Sequence, residues 1–90
     1  MLISPKIFFS KSTLLLVPYY KNEILLKNFG NHIRKIRISK GYTQESLSYD
    51  AELDISQIGR IERGKINPSL YVLYRLSKAL DVSLKELLDF

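Results

Sequence analysis

From residue 22 onward the apolar side chains recur every three or four positions, which is the period of one face of an α-helix. The first stripe of this kind runs through Phe29, Ile33 and Ile36 and stops at Gly41, a residue type that commonly ends helices. Four further segments have the same period, and no segment after residue 28 alternates apolar and polar residues as a strand does. The pattern predicts an all-α domain of five short helices over residues 29–90.

Short polar residues mark the starts of the second and third predicted helices. Thr43 and Asp54 are typical N-cap residues, whose side-chain oxygens accept hydrogen bonds from the free N–H groups of a first helical turn. They predict helices over residues 44–51 and 55–63. Gln57, three residues after Asp54, predicts a capping box at the third helix. The residues expected to face the core in these two helices are Leu47, Ala51, Ile58 and Ile61.

Two more helices are predicted after Gly64, which ends the third. Ser69 or Asn67 caps the fourth helix. Ser83 and Glu86 have the spacing of a capping box and predict a last short helix. The apolar positions of these two helices are Leu70, Leu73, Leu76, Ala79, Leu80, Leu84, Leu87 and Leu88.

Residues 1–28 are irregular as a whole, although the helical period begins at about residue 22 and Leu25 or Leu26 could extend the first stripe backward. Their apolar and aromatic patches are interrupted by Pro5 and Pro18, and none approaches the roughly 20 residues that a membrane span needs. No small-residue cleavage site follows the lysines and leucines, because the first alanine is Ala51, which disfavours a signal peptide. The segment is therefore predicted to be an irregular N-terminal extension. A disordered tail, a short strand, a docked arm and translated upstream sequence all stay open.

Composition excludes several kinds of site. A chain of 90 residues with no cysteine and one histidine makes one domain without disulfides, thiolate metal sites or histidine-rich metal sites. His32 is expected on an exposed helix face beside Lys35, and no nucleophile, base and acid set is available for catalysis. We therefore expect no enzyme activity, no metal, no cofactor and no catalytic residue.

The net charge of +5 is compatible with a nucleic-acid partner but does not by itself indicate one. Residues 1–28 hold four lysines and one acidic residue, whereas residues 29–90 hold ten basic and eight acidic residues. The excess charge thus lies mostly in the extension. A role in DNA binding has to be argued from where particular basic side chains point.

Only Glu52–Asp54 separates the second and third predicted helices, which is the arrangement of a helix-turn-helix. More specific motifs surround this turn: IRKIR at residues 33–37, KGYTQE at 40–45, IERG at 61–64, NPSL at 67–70 and LSKAL at 76–80. In these motifs residues 29–90 resemble the phage-repressor-like (Cro/repressor, XRE-type) helix-turn-helix family. The resemblance implies a five-helix, lambda-repressor-like DNA-binding domain with its helix-turn-helix core at residues 44–63. It also implies sequence-specific binding of double-stranded DNA, usually as a dimer.

Three positions depart from the family pattern. Glu52 stands where a glycine commonly opens the turn, and Asp81 stands where another glycine is expected between the last two helices. Ser46 replaces the acidic residue expected three positions after Thr43, so the capping box of the second helix is predicted to be incomplete. We expect these departures to lower stability slightly without changing the fold.

The third helix is the segment that would enter the major groove. With Ile58 and Ile61 turned inward, the opposite face carries the candidates for base contacts. Among them, Arg60 offers a guanidinium that can bond guanine O6 and N7 together, worth about 1–3 kcal/mol of discrimination. Gly59 allows a close approach of the backbone, either to DNA or to the second helix. The full set of base-contact candidates is Ile55, Ser56, Gly59 and Arg60.

Other residues are candidates for contacts to the DNA backbone, which fix register but carry no sequence information. The resemblance suggests that Gln44 lies at the phosphates, although ordinary capping is the alternative for Gln44 and Asn67. It also implies a structural ion pair between Arg37 and Glu62. The phosphate candidates are Thr43, Gln44, Gln57, Arg63, Lys65 and Asn67.

The predicted function is regulation of transcription by a cytoplasmic, homodimeric repressor that occludes a promoter. Alternatives are a restriction–modification controller, an antitoxin that regulates its own gene and binds a protein partner, and a protein-interaction scaffold. Tyr71 and Tyr74 share a helix face and, with Leu88 and Phe90, are candidates for the dimer contact. Packing of the tyrosines against residues 1–28 is an equal alternative.

Overall fold

The computed structural model describes the backbone of residues 18–90 and the side chains from Glu23 onward. This part of the chain folds into five helices and contains no strand, which confirms the predicted all-α, five-helix class. No helix within it is long and apolar enough to cross a membrane. The helices are α1 (Pro18–Ser39), α2 (Gln44–Ala51), α3 (Ile55–Glu62), α4 (Leu70–Leu80) and α5 (Leu84–Leu87).

The first helix begins earlier than the sequence pattern predicted. α1 is 22 residues long and starts at Pro18, so the predicted boundary after residue 28 falls inside a helix. The expectation that residues 18–28 are irregular is therefore wrong. Proline is well suited to the first position of a helix, where its missing N–H would have no partner and its fixed φ is already helical. The alternatives for residues 1–17 lie outside the described residues.

A core formed by all five helices confirms most of the predicted buried positions. The fully buried large side chains come from each helix in turn: Ile33, Leu47, Ile58, Ile61, Leu76, Leu80 and Leu87. Leu70 departs from the predicted stripe, because it is 70% exposed. It is the first residue of α4, directly after the Ser69 cap, and lies beyond the part of the helix that packs on the core.

Side-chain caps begin the helices largely as predicted, with two corrections. The capping box of α2 is complete, since Ser46 Oγ accepts a hydrogen bond of 2.9 Å from the Thr43 N–H. A serine hydroxyl thus replaces the expected carboxylate. The box predicted for Gln57 does not form, because Asp54 instead accepts from the N–H of Ser56 at 3.2 Å. Gln57 N–H donates to the Asp54 carbonyl.

Two non-glycine residues end helices in the left-handed backbone region. Glu52 and Asp81, both with φ of 56°, are the C-caps of α2 and α4. These are the two positions where the family pattern has glycine. A side chain in this conformation costs roughly 1–2 kcal/mol relative to glycine. The fold is kept at both turns, as expected, and the small loss of stability stays a prediction.

The C-terminus packs back on α1. Phe90 lies 5.4 Å from Phe29 between ring centroids and 6.0 Å from His32. His32 is half-buried, with Nε2 2.9 Å from the carbonyl oxygen of Glu86, so the prediction of an exposed histidine is wrong. The side chain joins α1 to α5 instead of facing solvent.

Candidate nucleic-acid interface

The turn between α2 and α3 is held by a side chain from α4. Arg75 Nη1 donates hydrogen bonds to the carbonyl oxygens of Ala51 at 3.3 Å and Glu52 at 3.1 Å, and it pairs with Glu52 Oε1 at 3.0 Å. These carbonyls belong to the end of α2, where helix C=O groups have no partner within the helix. Arg75 therefore fixes the end of α2, and with it the angle at which α3 leaves the turn.

One face of α3 is turned to solvent. Ile55, Ser56 and Arg60 are exposed, and Arg63 at the C-cap is exposed on the same side. Ile58 and Ile61 on the opposite face are each 1% exposed. The structure therefore presents three of the four candidates for base contacts on one surface. Ile55, at 45% exposure, is an apolar group of the kind that can contact a thymine methyl.

Gly59 does not belong to this surface, contrary to the sequence prediction. It is buried, and a Cβ built on it would lie 3.0 Å from Arg63 Nη1 and 3.8 Å from Gln44 Oε1. The close approach at Gly59 is thus to side chains of this chain. Within this arrangement the guanidinium of Arg63 covers the Gly59 backbone.

Replacing Gly59 by alanine is expected to stabilise the isolated protein by about 0.5–1 kcal/mol. Alanine has the higher helix propensity, and the Arg63 guanidinium, the tightest neighbour of the new Cβ, ends a flexible side chain that can move away. DNA affinity should fall because Arg63 is displaced. Urea unfolding and a DNA titration measure the two effects. A loss of stability above 1 kcal/mol would show that the position of Arg63 is required for folding.

The side chains at the start of α2, the N-cap Thr43 and the first residue Gln44, form hydrogen bonds within the protein. The Thr43 side chain accepts from the Ser46 N–H, and Gln44 Nε2 donates to Glu62 Oε1 at 3.0 Å. Gln44 is half-buried. Of the six phosphate candidates, these two therefore have structural partners already, and Gln57 is half-buried. Arg63, Lys65 and Asn67 are exposed.

A buried ion pair joins α1 to the end of α3. Arg37 Nε lies 2.6 Å from Glu62 Oε2, and Arg37 Nη2 donates to Glu62 Oε1 at 3.0 Å. Arg37 Nη1 donates to the Tyr42 carbonyl oxygen at 2.9 Å. The side chains are 10% and 3% exposed. The side-chain hydrogen bonds to Glu62 raise the pKa of Arg37 above its ordinary value, against the opposing effect of burial.

Two glycines let α1 and the end of α3 approach closely. A Cβ on Gly30 would meet the carbonyl groups of Ile61 and Glu62, and a Cβ on Gly64 would lie 2.7 Å from the Cα of Lys27. Sequence reasoning missed Gly30. The signal that could have identified it was a glycine inside a predicted helix, next to Phe29. Such a glycine lowers helix stability by about 1 kcal/mol relative to alanine, so its presence indicates a close packing contact.

A groove of about 510 Å³ lies beside this contact, between α1 and the end of α3. Its lining carries four basic side chains and one acidic one, and the acidic one is the Glu62 already paired with Arg37. This basic groove is lined by Lys27, Asn31, Arg34, Glu62, Arg63 and Lys65. Sequence reasoning identified Arg63 and Lys65 but not the three residues of α1.

The described residues include no group of three or more His, Asp or Glu side chains placed to hold a metal ion. The strongest features of this surface are instead the exposed face of α3 and the basic groove beside it. Both are suited to the polar edges and charged backbone of a nucleic acid.

Comparison with known proteins identifies relatives. The model of a helix-turn-helix family matches residues 33–87. The control protein C.BamHI of Bacillus amyloliquefaciens is 46% identical over 63 residues, which cover 69% of this chain and 78% of that protein. The HTH-type transcriptional regulator SinR of Bacillus subtilis is 39% identical over 61 residues, 67% of this chain and 55% of that protein.

A solved structure is also similar. The restriction-modification controller protein C.AhdI from Aeromonas hydrophila superposes with a TM-score of 0.66 and 43% sequence identity. The superposition covers 70% of this chain and 94% of that protein.

Proposed function

This chain belongs to the helix-turn-helix family, and we propose that it regulates transcription by sequence-specific binding of double-stranded DNA. The observation that carries the proposal is the exposed face of α3, whose opposite face is buried in the core at Ile58 and Ile61. A helix presented in this way fits the major groove, where base edges differ between all four base pairs.

We assign the roles on this surface by chemistry and exposure. Arg60 is the principal reader, because a guanidinium bonds two acceptors of guanine at once. Ser56 bonds base edges or phosphates, and Ile55 contacts a thymine methyl. Arg63, Lys65 and Asn67 bind phosphates of the backbone. The protein acts by occupying a site and not by catalysis.

A homodimer is the proposed binding form. Two copies of α3 one helical turn apart on the same face of DNA read a roughly palindromic operator. Exposed apolar residues on α4 and near the C-terminus support contact between copies. They are Leu70, Tyr71, Tyr74, Leu88 and Phe90, between 46% and 70% exposed.

The relatives favour one biological role over the others. C.BamHI and C.AhdI, at 46% and 43% identity, are control proteins, the latter of a restriction–modification system. We therefore propose that this chain controls restriction–modification genes and that it acts in the cytoplasm. Methyltransferase and endonuclease genes beside its own, with its binding site upstream of them, would support this. A toxin gene there would favour the antitoxin alternative.

Arg60→Ala tests the proposed reading of sequence. We expect it to weaken binding to a duplex selected from a random pool by about 1–3 kcal/mol, with a smaller effect on a duplex of mixed sequence. Fluorescence anisotropy at near-physiological salt measures both affinities. Lys85→Ala, which removes an exposed charge from α5, is the control. Equal losses of affinity for both duplexes would indicate that Arg60 contacts phosphates. No loss of affinity for either duplex would favour the protein-interaction scaffold.

A further inference from the structure

The basic groove gathers positive charge that the fold itself does not use. Lys27, Arg34, Arg63 and Lys65 are exposed, and neither salt bridge formed by the described residues involves any of them. Glu62, the acidic residue of the lining, is neutralised by Arg37 and also accepts a hydrogen bond from the Gln44 amide. Four basic side chains around one groove repel one another, so the groove favours an anionic partner.

The groove continues the surface of α3 along α1. Lys27, Asn31 and Arg34 have i, i+4 and i+7 spacing, so they follow one face of α1. The rise of 1.5 Å per residue spreads them over roughly 10 Å, a length that can face more than one phosphate of a DNA strand. Gly64 brings Lys27 directly against the end of α3, so the row begins where the recognition surface ends.

Charge is distributed unequally on the two sides of α3. Four exposed acidic residues lie on α2 and in the turn that follows it: Glu45, Asp50, Glu52 and Asp54. The side chains of Thr43 and Gln44 at the start of α2 also have hydrogen-bond partners within the protein. Phosphates are therefore attracted mainly to the α1 side.

We propose that the basic groove binds the phosphodiester backbone of duplex DNA next to the base pairs that α3 reads. Lys27 and Arg34 supply the charge from α1, Asn31 donates a neutral hydrogen bond, and Arg63 and Lys65 connect the groove to α3. The inference rests on the proposed function and assigns a DNA contact to α1, outside the helix-turn-helix. Such contacts strengthen binding without regard to sequence.

The test compares two double variants of the full chain. Lys27→Gln with Arg34→Gln removes two charges from the groove, and the glutamine at 27 keeps the Cγ that packs on Gly64. Lys35→Gln with Lys85→Gln is the matched control, since Lys35 follows Arg34 on α1 but does not line the groove. Affinities are measured from 50 to 200 mM salt for a selected duplex and for a 30-base-pair duplex of mixed sequence. Thermal unfolding checks that both variants fold.

The groove variant should weaken binding to both duplexes by the same factor. For a bound homodimer the slope of log affinity against log salt should fall in magnitude by about 4, or about 1 for each of the four altered side chains, whereas the control should change it by much less. Equal slope changes in the two variants would overturn the proposal, because net charge alone would then explain them. An unchanged slope in the groove variant would also overturn it. If the wild-type protein does not prefer the selected duplex, sequence reading fails, while the mixed duplex still tests the groove.

Discussion

Glu62→Ala is expected to lower the free energy of unfolding by about 3–5 kcal/mol. The change leaves the Arg37 guanidinium, on a side chain 10% exposed, without its carboxylate partner, and an unpaired buried charge is strongly destabilising. It also removes the acceptor of the Gln44 amide. A loss of this size is a large part of the total stability of a small domain. Urea unfolding followed by circular dichroism measures it.

A double variant separates the loss of the pair from the loss of one partner. Arg37→Met with Glu62→Leu should recover much of the stability, because apolar residues of similar volume often replace a buried ion pair at little cost. Glu45→Ala, which removes an exposed acid from α2, should change stability by less than about 0.5 kcal/mol. If Glu62→Ala lowers the free energy of unfolding by less than about 1 kcal/mol, the Arg37–Glu62 pair does not stabilise the fold as described.

Gly30→Ala should destabilise the protein by about 3 kcal/mol or more, although alanine is normally the better helix former. The new Cβ would lie 2.5 Å from the carbonyl oxygen of Glu62 and 2.8 Å from its carbonyl carbon. These are backbone atoms, so α1 and α3 have to separate, and overpacking of this kind typically costs 1–3 kcal/mol and sometimes more.

Gly59→Ala is the matched control for Gly30→Ala. It makes the same substitution inside a helix, but its new Cβ meets side chains alone. Urea unfolding of the two variants should give changes of opposite sign. A Gly30→Ala protein as stable as the wild type would mean that α1 and α3 are not packed as closely as described.

The helices after residue 28 were predictable because their signals are local. Spaced apolar residues and capping side chains such as Thr43, Asp54 and Ser83 act within one or two turns. The start of α1 was missed because a proline in the middle of a helix disrupts it, and Pro18 was interpreted as such an interruption. Proline is equally suited to the first position of a helix, which is where Pro18 lies. The serine at position 46 was underestimated because a hydroxyl can also accept the bond expected of a carboxylate.

The candidate surface was less predictable because it depends on how helices cross. Periodicity placed Ile55, Ser56 and Arg60 outward, and the structure exposes them. Periodicity also placed Gly59 on the outward face, because the spacing of residues does not show that the Arg63 side chain folds back over the Gly59 backbone. The α1 side of the basic groove followed only from the contact between Gly64 and Lys27, which no local pattern encodes.

Selection of binding sites from a random pool of duplex DNA at near-physiological salt, followed by sequencing, tests whether α3 reads DNA sequence. We expect enrichment of a palindrome with half-sites about 10 base pairs apart, and with a guanine that Arg60 can contact in each half. If protein shown by circular dichroism to be folded enriches no sequence, autonomous recognition of DNA by α3 is contradicted.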